Sequence, residues 1–195
     1  MKKIKGGLMT TISNYMQDQN EKFHIQKEDY GSFGHRWRLG ISALIKKYNI
    51  KSIIDFGAGK KTLEKSIGHE ISIQSYDPAF DSLNPNLIPA DLLVCTHVLE
   101  HVEPEYLQST LDYLSSLTNK AFLLVMDNGV SGKILPDGTE SNLIQKDMNW
   151  WESQINKSFN ADLVNIDRKS FIKKGQIKKI NSLDKGTFLG ICKNR

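Results

Sequence analysis

Only two cysteines occur in 195 residues, Cys95 and Cys192, each inside an apolar run. No cysteine pair stands at metal-ligand spacing, which excludes a zinc ribbon or a disulfide scaffold. The two thiols read as small buried core residues of a reduced, cytoplasmic protein. No apolar run approaches the ~18 residues of a membrane span. The opening MKKIKGGLMTTISNYMQDQN turns polar at Asn14 and Gln17, so neither a signal peptide nor an anchor is expected. Charge of one sign is also scarce: the net charge is +4 with pI near 8.9. This mild lysine excess permits an anionic substrate but lacks the dense footprint of a dedicated nucleic-acid binder, so nucleic acid is not an expected partner. Internal repeats and low-complexity segments are absent.

What is present is an alternation of two periods. Residues 35–48 place Trp37, Ile41, Leu44, Ile45 and Tyr48 at the spacing of a buried helical face. Further helices are expected over 60–67, from Pro104 through Leu107, Leu111 and Leu114, and over 147–158, where Trp151 shares a core face with Ile155 and Phe159. Strands are expected over 51–56, 71–76, 91–96, 121–127, 161–167 and 187–193. Strands alternating with helices predict an α/β fold with a mostly parallel, Rossmann-like sheet. The last two strands flank a basic stretch, 168–186, in which no helix is expected, so the C-terminal strand should run antiparallel. The chain reads as one domain over 1–195. It has an N-terminal helical cap segment over 1–34, weakly amphipathic around Leu8, Ile12 and Met16, and a loop over 128–146 on the substrate side.

The stretch SIIDFGAGKKTLEKSIG (52–68) is a strand, an acid, two glycines and a helix. A P-loop pattern is absent, and Thr62 stands where a dinucleotide fingerprint needs its third glycine. Asp55, two residues before Gly57, would repel a pyrophosphate and suits a cationic ligand. Asp77 closes the next strand 22 residues further on, where a carboxylate can accept from both hydroxyls of a ribose. A glycine pair alone says little. Together with two acids at strand ends, it fits a ribonucleoside that carries positive charge and no phosphate, S-adenosylmethionine (SAM).

IIDFGAGKKTL resembles the first motif of class I SAM-dependent methyltransferases, YDPAF their acidic second-strand motif, and DLLVCTHVLEHVEP their fourth-strand region. The likeness runs from about Tyr30 to Asp127. A narrower group of small bacterial and phage methyltransferases also resembles this chain in YG-x-x-G-x-x-W (Tyr30, Gly31, Gly34, Trp37) and LPDG…LI…WW (Leu135–Gly138, Leu143, Ile144, Trp150, Trp151). The resemblance implies a seven-stranded type of sheet and SAM as cofactor. The cofactor would be held by Tyr30, Gly34, Trp37, Asp55, Phe56, Gly57, Ala58, Gly59, Asp77, Pro78, Thr96 and His97. Lys61 replaces the family's usual third glycine, and Asn142 stands where the narrower group often has histidine. The span from Asp77 to Asp91 is too short for a full third helix and strand, so the adenine pocket should be reduced or built differently.

Residues just beyond the fourth strand would sit near the transferred methyl, which makes His97 a candidate general base or orienting group and His101 a second catalytic candidate. His97, Glu100 and His101 also resemble the metal-ligand set of small-RNA 3′-end ribose methyltransferases. LEHV without metal is common in the superfamily, however, and no metal is expected. Asp127, Asn128 and Trp150 are the candidate acceptor contacts. DPAF after the second strand lies in the wrong place for the Asp-Pro-Pro-Tyr/Phe chemistry of base methylation. The expected function is methyl transfer to oxygen or nitrogen of a small molecule, of sugar-derived or nucleotide-linked type. The alternatives are a metal-dependent RNA ribose methyltransferase, a SAM-binding module without catalysis, and a dehydrogenase, against which Asp55 argues. No oligomeric state is expected from the motifs.

Overall fold

A computed structural model describes residues 11–68, 71–80, 86–181 and 186–193. Six strands form one sheet: β1 (Ser52–Phe56), β2 (Ser72–Tyr76), β3 (Ala90–Thr96), β4 (Thr118–Val125), β5 (Ala161–Asn165) and β6 (Thr187–Cys192). Their order is β2-β1-β3-β4-β6-β5. β1 to β4 are mutually parallel, and β6 runs antiparallel to both of its neighbours. No described residue between β2 and β3 forms a strand, so six strands stand where the seven-stranded type was expected. Residues 81–85 lie outside the described residues, as does Leu8. The side chain of Gln74, on the outer strand β2, instead pairs both ways with the Ile88 backbone, accepting from its N–H and donating to its carbonyl, each at 2.9 Å. A side-chain amide thus ties the segment before β3 to the outer strand.

Alternation along the central strands sends side chains to two layers. Leu93 and Cys95 of β3 and Phe122 and Leu124 of β4 face α4 (Leu107–Ser116) and α5 (Met148–Ser158). Leu92 and Val94, with Leu123 and Val125, face α2 (Arg38–Tyr48), α3 (Thr62–Ile67) and α6 (Arg168–Lys174). Such strands, apolar on both faces, are what a parallel sheet covered on both sides requires. Trp151 is fully buried on the α5 side, as its register predicts.

Helix α6 overturns the reading of 168–186 as a bare loop. Its signals are short but complete: the Asp167 side chain accepts from the Ser170 N–H at the start, and Gly175 ends it at φ +62°. Between them, fully buried Phe171 is the anchor. Its ring lies so close to Gly40 of α2 that a Cβ there would stand 2.1 Å from Cε1. Residues 182–185 of the basic stretch lie outside the described residues.

The cap is helix α1 (Asn14–Gln26), started by Ser13, whose side chain accepts from the Met16 N–H. Its apolar residues Ile12, Met16 and Phe23 do not join either main core layer. They form a separate cluster with Leu135 of the 128–146 loop, against which Tyr30 and Leu143 also pack. Polar ties fix its position: Tyr15 Oη donates to Asp137 (2.7 Å), Gln17 Nε2 to the Pro78 carbonyl (2.7 Å), and the Ser13 N–H to Glu103 (2.8 Å).

Gly40→Ala is expected to destabilise the chain by about 1–2 kcal/mol, because overpacking against Phe171 outweighs the ~1 kcal/mol of helix propensity gained. An unchanged or raised urea midpoint would contradict this packing of α6 on α2.

Candidate active site

The strand order reverses direction about β1, with β2 on one side and β3 on the other. Such a switch point opens a crevice beyond the carboxyl ends of the strands. Here the crevice is a cavity of about 430 Å3, within the usual range of small-ligand sites. Its floor is the loop after β1. The N–H groups of Gly57 and Ala58 donate to the Tyr76 carbonyl at 2.8 and 3.0 Å. The Gly59 N–H donates to Asp77 Oδ2 at 2.7 Å, and the Ala79 N–H to Oδ1 at 2.9 Å. Asp77 thus braces the loop.

Gly57 and Gly59 line the cavity and also make room for this chain's own segments. A Cβ at Gly57 (φ +77°) would lie 2.0 Å from Val98 Cγ2, and one at Gly59 (φ +52°) 2.3 Å from the Gly31 carbonyl oxygen. Both positions make room for this chain's own segments, and Gly59 does so for the backbone of the cap region. Gly31 in turn lies against the buried His24 ring. Burial and the nearby Lys60 lower the pKa of His24 to about 4, so it is neutral at physiological pH.

Asp55 closes β1 at 5% exposure and lines the cavity. Burial, then the charges of Asp77 and Glu64, raise its pKa to about 7. No cation forms an ion pair with it among the described residues. His97 follows β3 in the left-handed region at φ +56°. Its Nδ1 lies 3.2 Å from Asp127 Oδ2 and 3.3 Å from Glu100 Oε1. Burial pulls its pKa down, but hydrogen bonds to Asp127 and Glu100 prevail and hold it at about 9. His97 is therefore held in its protonated, donating form at neutral pH, which suits the orienting role among the two expected for it. Asp127 is held well below the usual carboxylate range by its hydrogen bond to His97, against a smaller burial effect, with help from Arg168 at 3.1 Å.

Every residue expected at the cofactor lines this cavity, as do His101 and Asp127. Asn128 and Trp150 do not. Asn128 is exposed, and Trp150 packs on the core layer edge-on to Trp151, with ring centroids 5.2 Å apart. The set His97, Glu100 and His101 is also not assembled as such. Glu100 and His101 lie in a single 3-10 turn (Leu99–His101), and His101 Nδ1 is engaged by the Ser141 carbonyl at 2.7 Å. The ligand atoms that do converge, within 4.8 Å of one another, belong to His97, Glu100 and Asp127.

Sequence reasoning missed the far walls. Thr11, Ile12, Asn20 and His24 of the cap segment reach the cavity, as do Arg168 and Ile172 of α6. The Asp167-x-x-Ser170 start and Gly175 stop could have exposed α6. Nothing in the cap sequence marks its residues as cavity-facing, because that depends on where the segment folds back.

No protein-family model and no curated protein matches the sequence. Solved structures do match in fold. The Burkholderia thailandensis 1,6-didemethyltoxoflavin-N1-methyltransferase, crystallised with bound 1,6-didemethyltoxoflavin and S-adenosylhomocysteine (SAH), is 10% identical with TM-score 0.57, over 92% of this chain and 88% of that one. The putative methyltransferase in complex with the Haloferax volcanii Trm112 activator is 10% identical with TM-score 0.51, over 88% and 96%. The methyltransferase domain of bacterial CtHen1 is 17% identical with TM-score 0.48, over 82% and 98%. The chain has the fold of the class I SAM-dependent methyltransferases. No helix among the described residues is long and apolar enough to cross a membrane.

The shifted groups make stability depend on pH in opposite senses. Asp55 has its pKa raised from 3.8 to about 7, so the unfolded chain gives up this proton first and stability falls between these values, by at most about 4 kcal/mol. The His97 contribution is present below its unfolded value near 6.5 and is lost as pH rises through about 9. That of Asp127 is present above about 4 and lost in acid. Asp55→Asn should raise the thermal midpoint at pH 8 more than at pH 4.5, and an equal shift at both would refute the assignment.

Proposed function

We propose that the chain is a SAM-dependent methyltransferase acting on oxygen or nitrogen of a small molecule. The observation that carries this is the cavity-lining acid Asp55, unpaired by any cation among the described residues, one strand away from Asp77. A ligand with a ribose for Asp77 and a positive charge for Asp55 satisfies both. SAM when bound supplies a methyl group already activated by the sulfonium. The residues then have a positioning task. Asp77 accepts from the ribose hydroxyls while bracing the glycine loop. Asp55 ionises beside the incoming cation. Pro78, Ala79, Val98 and the cap residues Ile12 and Asn20, which line the same cavity, enclose the base end. His97, protonated and anchored by Asp127 and Glu100, donates to the acceptor and aligns it.

Calorimetric titration with SAM and with SAH tests the reading, and micromolar binding is expected. Asp77→Asn should weaken it about tenfold or more. A thermal melt of the same variant separates lost ribose contacts from a loosened loop. At pH 7, binding should release up to about half a proton from Asp55, seen as a heat that varies with buffer and disappears in Asp55→Asn. Absence of binding by either ligand would end the proposal.

A second reading, metal-assisted methylation of RNA ribose, has one observation behind it: Glu100 is 1% exposed, its Oε2 has no partner, and its other oxygen converges with His97 and Asp127. An imidazole and two carboxylates suit a divalent ion, while the Arg168 guanidinium already paired with Asp127 opposes a second cation there. With methyl-labelled SAM, the first reading expects label in the small-molecule pool and indifference to a chelator. The second expects label in RNA and loss of transfer on chelation.

A further inference from the structure

We propose that the acceptor is a small anion, bearing a carboxylate or phosphate group that Arg36 and Lys133 grip at the mouth of the cavity. The inference rests on the methyltransferase reading for the word acceptor, but not for the anion site itself. Seven charged side chains matter in the cavity wall. Asp55 and Asp77 close β1 and β2 and belong to the cofactor half. His97 and Arg168 are matched with Asp127 and Glu100. Arg168 is further fixed by donating to Thr187 Oγ1 and to the carbonyls of Met126 and Gly186, so it forms part of the wall and has no fork to spare. Arg36 and Lys133 remain, and among the described residues neither has a carboxylate partner.

Both are held in place by aromatic rings of the same wall. The Arg36 guanidinium lies 4.1 Å from the Phe33 ring centroid, and the Lys133 ammonium 4.9 Å from that of Tyr30. A cation over a ring face keeps its outward N–H groups available while its position is restrained. Arg36 belongs to the 3-10 turn Gly34–Trp37, against which α6 packs, and α6 contributes Arg168 and Ile172 to the same cavity. Positive potential inside a partly enclosed cleft attracts and orients an anion. Phe33, 41% exposed, adds an apolar surface for the rest of the molecule. The cap narrows the space to small-molecule dimensions, which favours a free metabolite over a polymer.

The test uses the full chain saturated with SAH, titrated calorimetrically with pyrophosphate and with citrate in low salt. At least one should bind with Kd of about 5 mM or tighter, and salt should weaken it. The pair also tells a phosphate site from a carboxylate site. Arg36→Ala and Lys133→Ala should each weaken that anion about fivefold or more. SAH affinity of Arg36→Ala is the control and should stay within about threefold. Failure of both anions to bind below about 20 mM, or binding unchanged in both variants, overturns the proposal. So does binding confined to a single-stranded RNA oligonucleotide. If SAH itself does not bind, the methyltransferase reading falls separately, and the same titrations on the ligand-free chain still decide the anion site.

Discussion

The carboxylate of Asp77 joins the end of β2 to the glycine loop after β1, and the cavity is built around that joint. By accepting from Gly59 and Ala79 it fixes two backbone turns at once. With that loop set, Gly59 presents a bare Cα to Gly31, the cap region can rest on it, and α1 can roof the crevice. The same carboxylate is the ribose acceptor of the proposed function. In that reading one group serves both architecture and recognition.

The roof is attached differently from the rest. Its apolar residues pack with the 128–146 loop in a small cluster of their own, with polar ties at Ser13, Tyr15 and Gln17 and an edge-on ring contact of His24 with Phe80. A small satellite core places such a unit at the low end of local stability, which is where ligand-covering elements are usually drawn from.

Electrostatically the cavity divides into halves. Near β1 and β2 it holds two acids, one of them protonated about half the time at neutral pH. Near β3 and β4 it holds an imidazolium, a guanidinium and their matched carboxylates. Strand topology makes this division, since each group sits at the carboxyl end of its own strand or at the start of α6. A ligand that is cationic at one end would meet the acids near β1 and β2, and an anionic partner would meet Arg36 and Lys133, which no carboxylate matches among the described residues.

The sequence by itself determined the alternation of strands and helices, the sheet class, and the acids at strand ends. These are local: each follows from apolar spacing, or from an acid or glycine next to a strand. It also flagged the unusually short span after Asp77. Helix α6 was legible in principle through its cap residues, but seven residues give too little periodicity to stand out. Only the tertiary structure decided that Gly59 yields to Gly31, that Trp150 turns to the core, that His97 pairs with Asp127 thirty residues away, and that Thr11, Ile12, Asn20 and His24 face the cavity. Each of these depends on segments distant in sequence meeting in space, and neither periodicity nor spacing carries that information. The protonation of His97 and Asp55 belongs with them, because burial and neighbouring charge set it only after the chain has folded.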